Sequence, residues 1–272
     1  MSTDKIDLLI EDYIKNETFP VVHKDMIKKI LNYHKSDIVK DEYSYLLELY
    51  SEYIDKINSL DTQIRNEALT IFKGADLIDN QRLEKEDSFL IRLFLQVEKK
   101  HAIDLLLTEK TLNKDLLLNT HKMLLQGTST KESDCGIYRS NNRKFVGSWK
   151  NNERCIQYLP IPYKEIDEAM EEFFTYYNND SGEDLFYKPF LIHGIIAALQ
   201  AFNDGNTRLA RLLQHTKLWE ETNKYYTYDY PSPLLYITRT YFPHREKYRS
   251  LIKDLAINPT DETVNNWLLF NM

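Results

Sequence analysis

Cysteine is nearly absent. Cys135 and Cys155 are the only two, too few for a disulfide framework and in no metal-ligand spacing. A reduced, cytoplasmic setting is the expectation. Glycine (7) and proline (8) are scarce among 272 residues, which excludes collagen-like and low-complexity designs and leaves room for long helices. No apolar run approaches the roughly 18 residues of a membrane span, so no membrane partner is expected. The opening Met1-Ser2-Thr3-Asp4 lacks the basic and apolar regions of a signal peptide. Positive charge is not in excess either. Lys and Arg number 35 against 42 Asp and Glu, a net charge of −7, and they are dispersed, so no basic stripe for nucleic acid is present.

What remains is an apolar, aromatic-rich chain with helical periodicity. Hydrophobic residues make up 42% and include 19 Tyr and 12 Phe, ample for a core. Apolar residues recur at helical spacing over 4–16, 24–34, 41–60 (Leu46, Leu47, Tyr50, Tyr53, Ile54, Ile57) and 84–107. Residues 116–127 read as a helix closed by Gly127, and a terminal helix carries Trp267, Leu268, Leu269 and Phe270. Two short strands are expected, 144–149 and 154–159, around the polar turn Lys150-Asn151-Asn152-Glu153. Pro160 and Pro162 end them, and a helix begins near Tyr163. Helices elsewhere and one hairpin make the expected fold class all-α.

The stretch that organises the rest is Gln200-Ala201-Phe202-Asn203-Asp204-Gly205-Asn206-Thr207-Arg208-Leu209-Ala210-Arg211. Before it runs an uncharged apolar segment, Phe190 to Leu199, which reads as a buried helix. Gly205 is expected to stop that helix with a positive φ, and Asn206 to cap the next one. A tight turn opening a helix aims backbone N–H groups at one spot and attracts anions there. Arg208 and Arg211, three residues apart, are expected to leave the same side of the helix and suit a di- or triphosphate. The carboxylate of Asp204 could hold its Mg²⁺. The same turn also joins helices in proteins that bind no ligand, so spacing alone leaves both readings open.

The stretch resembles the signature of Fic-domain proteins, His-Pro-Phe-x-(Asp/Glu)-Gly-Asn-(Gly/Lys)-Arg-x-x-Arg. Phe202, Asp204, Gly205, Asn206, Arg208 and Arg211 match it, while Gln200 replaces the His, Ala201 the Pro and Thr207 the Gly or Lys. Gly136-Ile137-Tyr138-Arg139 resembles the Gly-x-Tyr-Arg element before the family's hairpin flap, and Arg245-Glu246-Lys247-Tyr248 its Arg-Glu-x-Tyr helix. His121 and His193 fall where the family often has histidines; His121, on an apolar helix face, reads as a hydrogen-bonded core residue. The inhibitory pattern (Ser/Thr)-x-x-x-Glu-(Gly/Asn) is matched only weakly by 61–67, with Arg65 where the Glu belongs, and this segment reads as a solvated face.

The resemblance implies a Fic-type helical bundle with one short hairpin flap. It covers 110–272, with 1–109 as an N-terminal helical region. It further implies transfer of AMP from ATP, or of a nucleotide from another NTP, to a Ser, Thr or Tyr hydroxyl of a target protein. In that scheme Asp204 holds Mg²⁺, Gly205, Asn206, Thr207, Arg208 and Arg211 bind the nucleotide, and the edge Lys144-Phe145-Val146-Gly147 pairs with the target. Gln200 stands at the position of the general base. A carboxamide has no basic nitrogen near neutral pH, and loss of a positioned base slows proton transfer by about 10²–10⁴-fold. Three readings stay open: a natural pseudoenzyme, a transferase with another base, and a variant made inactive deliberately. Ala201 beside Gln200 favours drift over one deliberate change. A helical adaptor without ligand is the alternative from a different class, but it does not need both arginines.

Overall fold

The most apolar stretch of the sequence becomes the helix on which the others pack. The computed structural model describes residues 18–68, 102–109, 111–150, 153–179, 185–225 and 240–272, with Asp12, Lys15 and Asn16. The elements used below are α1 (Met26–Leu31), α2 (Asp37–Ser59), α3 (Lys114–Leu125), β1 (Val146–Lys150), β2 (Glu153–Tyr158), α4 (Ile166–Asn178), α5 (Tyr187–Leu199), α6 (Asn206–Tyr225), α7 (Arg245–Ile257) and α8 (Asp261–Asn271). Shorter helical pieces cover 62–68 and 102–108. Most of the helices expected over 4–16 and 84–107 lie outside the described residues.

Every residue of α5 is buried, which explains its even, one-sided-nowhere hydrophobicity. It packs against α6, α7, α8 and α1. Gly194 makes the closest approach possible: a Cβ there would lie 2.8 Å from Leu255 Cδ1 and 2.9 Å from Trp267 Nε1. The indole Nε1 of Trp267 donates to the Phe190 carbonyl at 2.8 Å, so the α8 ring is both packed and hydrogen-bonded against α5. Phe173, Phe186, Phe190 and Trp267 are fully buried, each stabilising the fold by about 2–3 kcal/mol on area grounds. Met26, Ile30 and Ile54 from the first sixty residues belong to the same cluster as Phe173 and Ile192.

Local chemistry sets the helix ends. Ser36 caps α2, its Oγ accepting from Val39 N at 3.3 Å, and Thr260 with Thr263 forms a capping box on α8. Asn265 then ties the two ends together: its Oδ1 accepts from Ser36 N and its Nδ2 donates to His34 O. In α3 the helix ends at Leu125, and Gly127 follows at φ +76°, as expected of a glycine just past a C-terminus.

The hairpin is antiparallel and starts two residues later than the sequence suggests, at Val146. A bulge lies between Val146 and Gly147, where the backbones come so close that a Cβ on Gly147 would sit 2.1 Å from Cys155 O. After β2, Leu159 makes a parallel bridge to Val21, with Val22 N donating to Leu159 O at 3.0 Å. The hairpin base is thereby fixed to the N-terminal segment on the β2 side. Among the described residues no strand adds to the outer edge of β1. Among the same residues no helix is long and apolar enough to cross a membrane.

Candidate functional site

The α5–α6 turn differs from expectation in its mechanics. Gln200, not Gly205, ends α5: it adopts the left-handed conformation (φ 55°, ψ 48°), the only non-glycine with positive φ among the described residues. Its Nε2 donates to Ala197 O at 2.6 Å, satisfying one of the helix's terminal carbonyls. Gly205 also has positive φ (74°), but it acts at the start of α6, where its carbonyl accepts from Leu209 N. Glycine is required there twice over, because a Cβ would lie 2.6 Å from Leu125 Cδ1 and 3.0 Å from His121 Nε2. Asn206 is therefore the first residue of α6 and not its cap. Its buried amide closes the loop instead, accepting from Phe202 N at 2.9 Å and donating to Phe202 O at 2.8 Å.

Three side chains from outside the turn hold it in place. Arg139 is buried; its Nε donates to Gln200 O at 3.0 Å, Nη1 to Asn141 O at 3.1 Å and Nη2 to Ile161 O, while its backbone N–H meets Ala201 O. Burial pulls its pKa down to about 10, so it stays charged at neutral pH. His121 donates from Nε2 to Asp204 O at 3.0 Å and accepts at Nδ1 from Gly136 N, with its ring stacked 3.8 Å over Phe202. Lys144 donates to Asn203 O at 2.6 Å. This lysine, expected on the target-facing edge, is turned inward onto the loop; burial lowers its pKa to about 8.

Beyond this turn lies a cavity of about 430 Å³. Gln200, Thr207 and Arg211 line it on one side, and Val146 and Gly147 of the hairpin on another. The residues Arg245, Tyr248 and Arg249 of α7 belong to the same lining, which includes nothing from 61–67. Phe145 precedes β1 and is half-buried. The sequence expectation that Arg208 and Arg211 share one side does not hold. Arg211 is buried against the cavity, whereas Arg208 turns to the adjacent flank, with Nη2 3.2 Å from Asp204 Oδ2 and 3.1 Å from Thr130 Oγ1. Four-residue spacing explains the split: Thr207 pairs in register with Arg211, and Asp204 with Arg208.

Asp204 is half exposed, and its Oδ2 accepts from Thr130 Oγ1 at 2.7 Å and its Oδ1 from Gly205 N at 2.7 Å. Burial opposes its charge, yet the Thr130 hydroxyl, Arg208, the Gly205 N–H and Lys144 together hold the carboxyl below the usual carboxylate range. With Arg208 these donors occupy three of about four lone-pair positions of an ionised carboxylate. The residue present thus fits a hard divalent ion that takes one protein oxygen and completes its shell from phosphates and water. Among the described residues no cluster of three or more His, Cys, Asp or Glu offers a fuller set of ligands.

Behind the cavity, His193 is fully buried between Gln214 Oε1 (2.6 Å) and Tyr248 Oη (2.8 Å), with Tyr241 close by. Burial drives its pKa down to about 3, so it is a neutral strut holding α7 to α5. The sequence did not disclose the roles of Arg139, Thr130 and Lys144, because each acts on main-chain or loop atoms distant in sequence. The arginine of the Gly-x-Tyr-Arg element was the one available signal.

Comparison with known structures shows where this fold recurs. A Fic family protein from Desulfovibrio desulfuricans G20 superposes with a TM-score of 0.60 at 15% identity, over 88% of this chain and 73% of that one. A Fic domain containing signaling protein from Bacteroides thetaiotaomicron VPI-5482 gives 0.57 at 12% identity, over 82% and 90%. Fic-1 (residues 134–508) from C. elegans gives 0.54 at 15%, over 86% and 71%. These identities establish a shared fold. No curated protein sequence matches the chain. Residues 111–218, from the start of α3 through the turn and most of α6, match the family model described as Fic/DOC family, so that this segment is a Fic/DOC-type domain.

Proposed function

We propose that the chain binds a nucleotide in the cavity between α6, the hairpin and α7, and that it is built on the plan of a protein adenylyltransferase with the base replaced by Gln200. One observation carries this reading: Gln200, Thr207 and Arg211 line a single cavity at the start of a 20-residue helix, opposite the hairpin. The helix N-terminus attracts phosphate, and Arg211 adds a guanidinium one turn further on. Arg208, on the adjacent flank, is shared with Asp204 and Thr130 and adds its charge from outside the cavity. Asp204 would hold Mg²⁺, whose charge would help neutralise the phosphate chain. ATP is the nucleotide implied by the resemblance, and another NTP fits the same chemistry.

For transfer, an attacking hydroxyl has to lose its proton as it reaches the α-phosphate. In this reading Gln200 stands where a base would take that proton, and its amide can hydrogen-bond to the hydroxyl but has no basic nitrogen to remove the proton. Positioning and charge neutralisation remain, so transfer is slow and not abolished. The target protein is proposed to add a strand to the outer edge of β1, next to Val146 and Gly147. The direct test is calorimetry of the full chain with ATP, CTP, GTP and UTP, with and without Mg²⁺. Binding of none of the four would remove the nucleotide reading and leave an adaptor that keeps only the fold.

A further inference from the structure

Phosphate binding at α6 leaves one wall of the cavity without a purpose. Arg245, Arg249 and Lys253 of α7 all line it. They stand four residues apart, so they form one flank about 12 Å long. The neighbouring row, Tyr248 and Ile252, also lines the cavity and is buried. One residue further round the helix, the cations therefore stand on the outer side of that apolar row, toward solvent. Glu246 is the sole carboxylate in the lining. Its side chain is 90% exposed and its contact with Arg249 Nη1 is 3.6 Å, too loose and too wet to neutralise Arg249. In a chain of net charge −7, such a concentration of cations on one wall calls for an anion.

Resting on the nucleotide reading above, we propose that the cavity takes a nucleotide with a second phosphate group separate from its 5′ chain, held at the mouth by Arg249 and Lys253. An ordinary nucleoside triphosphate carries its charge at one end. With that end at α6 and Arg211, the α7 flank would face a neutral base and sugar. A phosphate on the ribose places a second dianion beyond the apolar span of Tyr248 and Ile252, where the outer flank stands. Both phosphate groups then meet guanidinium or ammonium donors, and the sugar and base meet the apolar row.

The test uses the full chain and pairs of ligands that differ by one ribose phosphate: coenzyme A against dephospho-coenzyme A, and NADP⁺ against NAD⁺, by calorimetry. In at least one pair the extra phosphate should tighten binding by about tenfold or more, as expected of charge-assisted hydrogen bonds. The gain should shrink between 50 and 300 mM salt and disappear in the double variant Arg249→Gln, Lys253→Gln. If ATP binds but neither pair differs, the inference is overturned and the nucleotide reading stands. If no nucleotide binds, both fall together. Should the double variant weaken ATP as much as the ribose-phosphorylated ligand, the flank serves the 5′ chain and the inference is again overturned. Equal pairs, with an alternating Glu-Val peptide that loses affinity in the double variant, would assign the flank to an acidic protein segment instead. Where the double variant does not fold, the salt series on the unaltered protein decides.

Discussion

The Nε of Arg139 lies 3.0 Å from the carbonyl oxygen of Gln200, the residue whose left-handed backbone ends α5. One guanidinium thereby satisfies a carbonyl that the helix leaves unpaired and, through Ile161 O, fastens the segment after the hairpin to the same point. Replacing Arg139 with Leu would strand these buried carbonyls. The expected loss is about 2–4 kcal/mol in urea unfolding. Arg139→Lys should recover only part of it, because an ammonium cannot present the planar fork. Full recovery by lysine would mean that charge alone matters at this position.

Stability should also fall on mild acidification. His121 and His193 have folded-state pKa values of about 4 and 3, both below the ordinary value, because burial penalises the cation. As pH falls, the unfolded chain takes up these protons first, near about 6.5. The stabilisation is therefore intact above about 6.5 and lost on the way down to about 4 and 3 respectively. The slope is about 1.4 kcal/mol per pH unit for each histidine, so each contributes roughly 2 kcal/mol of loss by pH 5. Urea midpoints at pH 7 and pH 5 measure this, and His193→Gln should reduce the slope. An unchanged slope in that variant would place the titration elsewhere.

The two arginines of α6 should be separable by ligand. Arg211 faces the cavity, whereas Arg208 is already shared between Asp204 and Thr130. Arg211→Ala should weaken ATP by about tenfold or more and AMP by less, since the lost partner serves the outer phosphates. Arg208→Ala should have the smaller effect on ATP. The opposite ranking in calorimetry would show that Arg208 swings into the cavity when ligand arrives.

The reach of the sequence can be argued residue by residue. Helix α5 was legible because its apolar run has no charge, and the hairpin because Pro160 and Pro162 bound a β-rich stretch. His121 was legible as a core histidine, and its two hydrogen bonds to backbone atoms agree. The division of labour at the turn was not. Asn, Asp and Gly all tolerate positive φ, and composition does not say that a glutamine would take the first such position. Four-residue spacing puts Arg208 in register with Asp204, but the second partner that holds it on that flank is Thr130, 78 residues away, which the sequence does not bring into view. The segment 61–67 is largely exposed, and Arg65 Nη2 donates to Thr62 within the segment. Arg65→Glu is thus expected to leave ATP affinity within about twofold, as for a surface charge, and a larger drop would bring this segment over the site.

The missing base gives the last prediction. Gln200 occupies the end of α5 with φ +55°, a region that histidine tolerates better than most side chains. Gln200→His can therefore keep the backbone, and the surrounding clamp of Arg139, Lys144 and Asn206 does not depend on the Gln200 side chain. An imidazole with an unperturbed pKa of about 6.5 would accept a proton where the amide does not. Transfer of labelled AMP, onto the chain itself or onto proteins of a cell lysate, should rise by about 10²-fold or more. The gain should decline below the imidazole pKa, as the ring arrives already protonated. Adding Asp204→Ala should remove it, because the phosphate chain loses the carboxylate that would hold its counter-ion. Silence of Gln200→His with ATP, CTP, GTP and UTP would extend the defect beyond the base. Thr207 would then be the next residue to exchange for glycine, since it puts a side chain in the cavity wall between Gln200 and Arg211 in the chain, beside the proposed phosphate position.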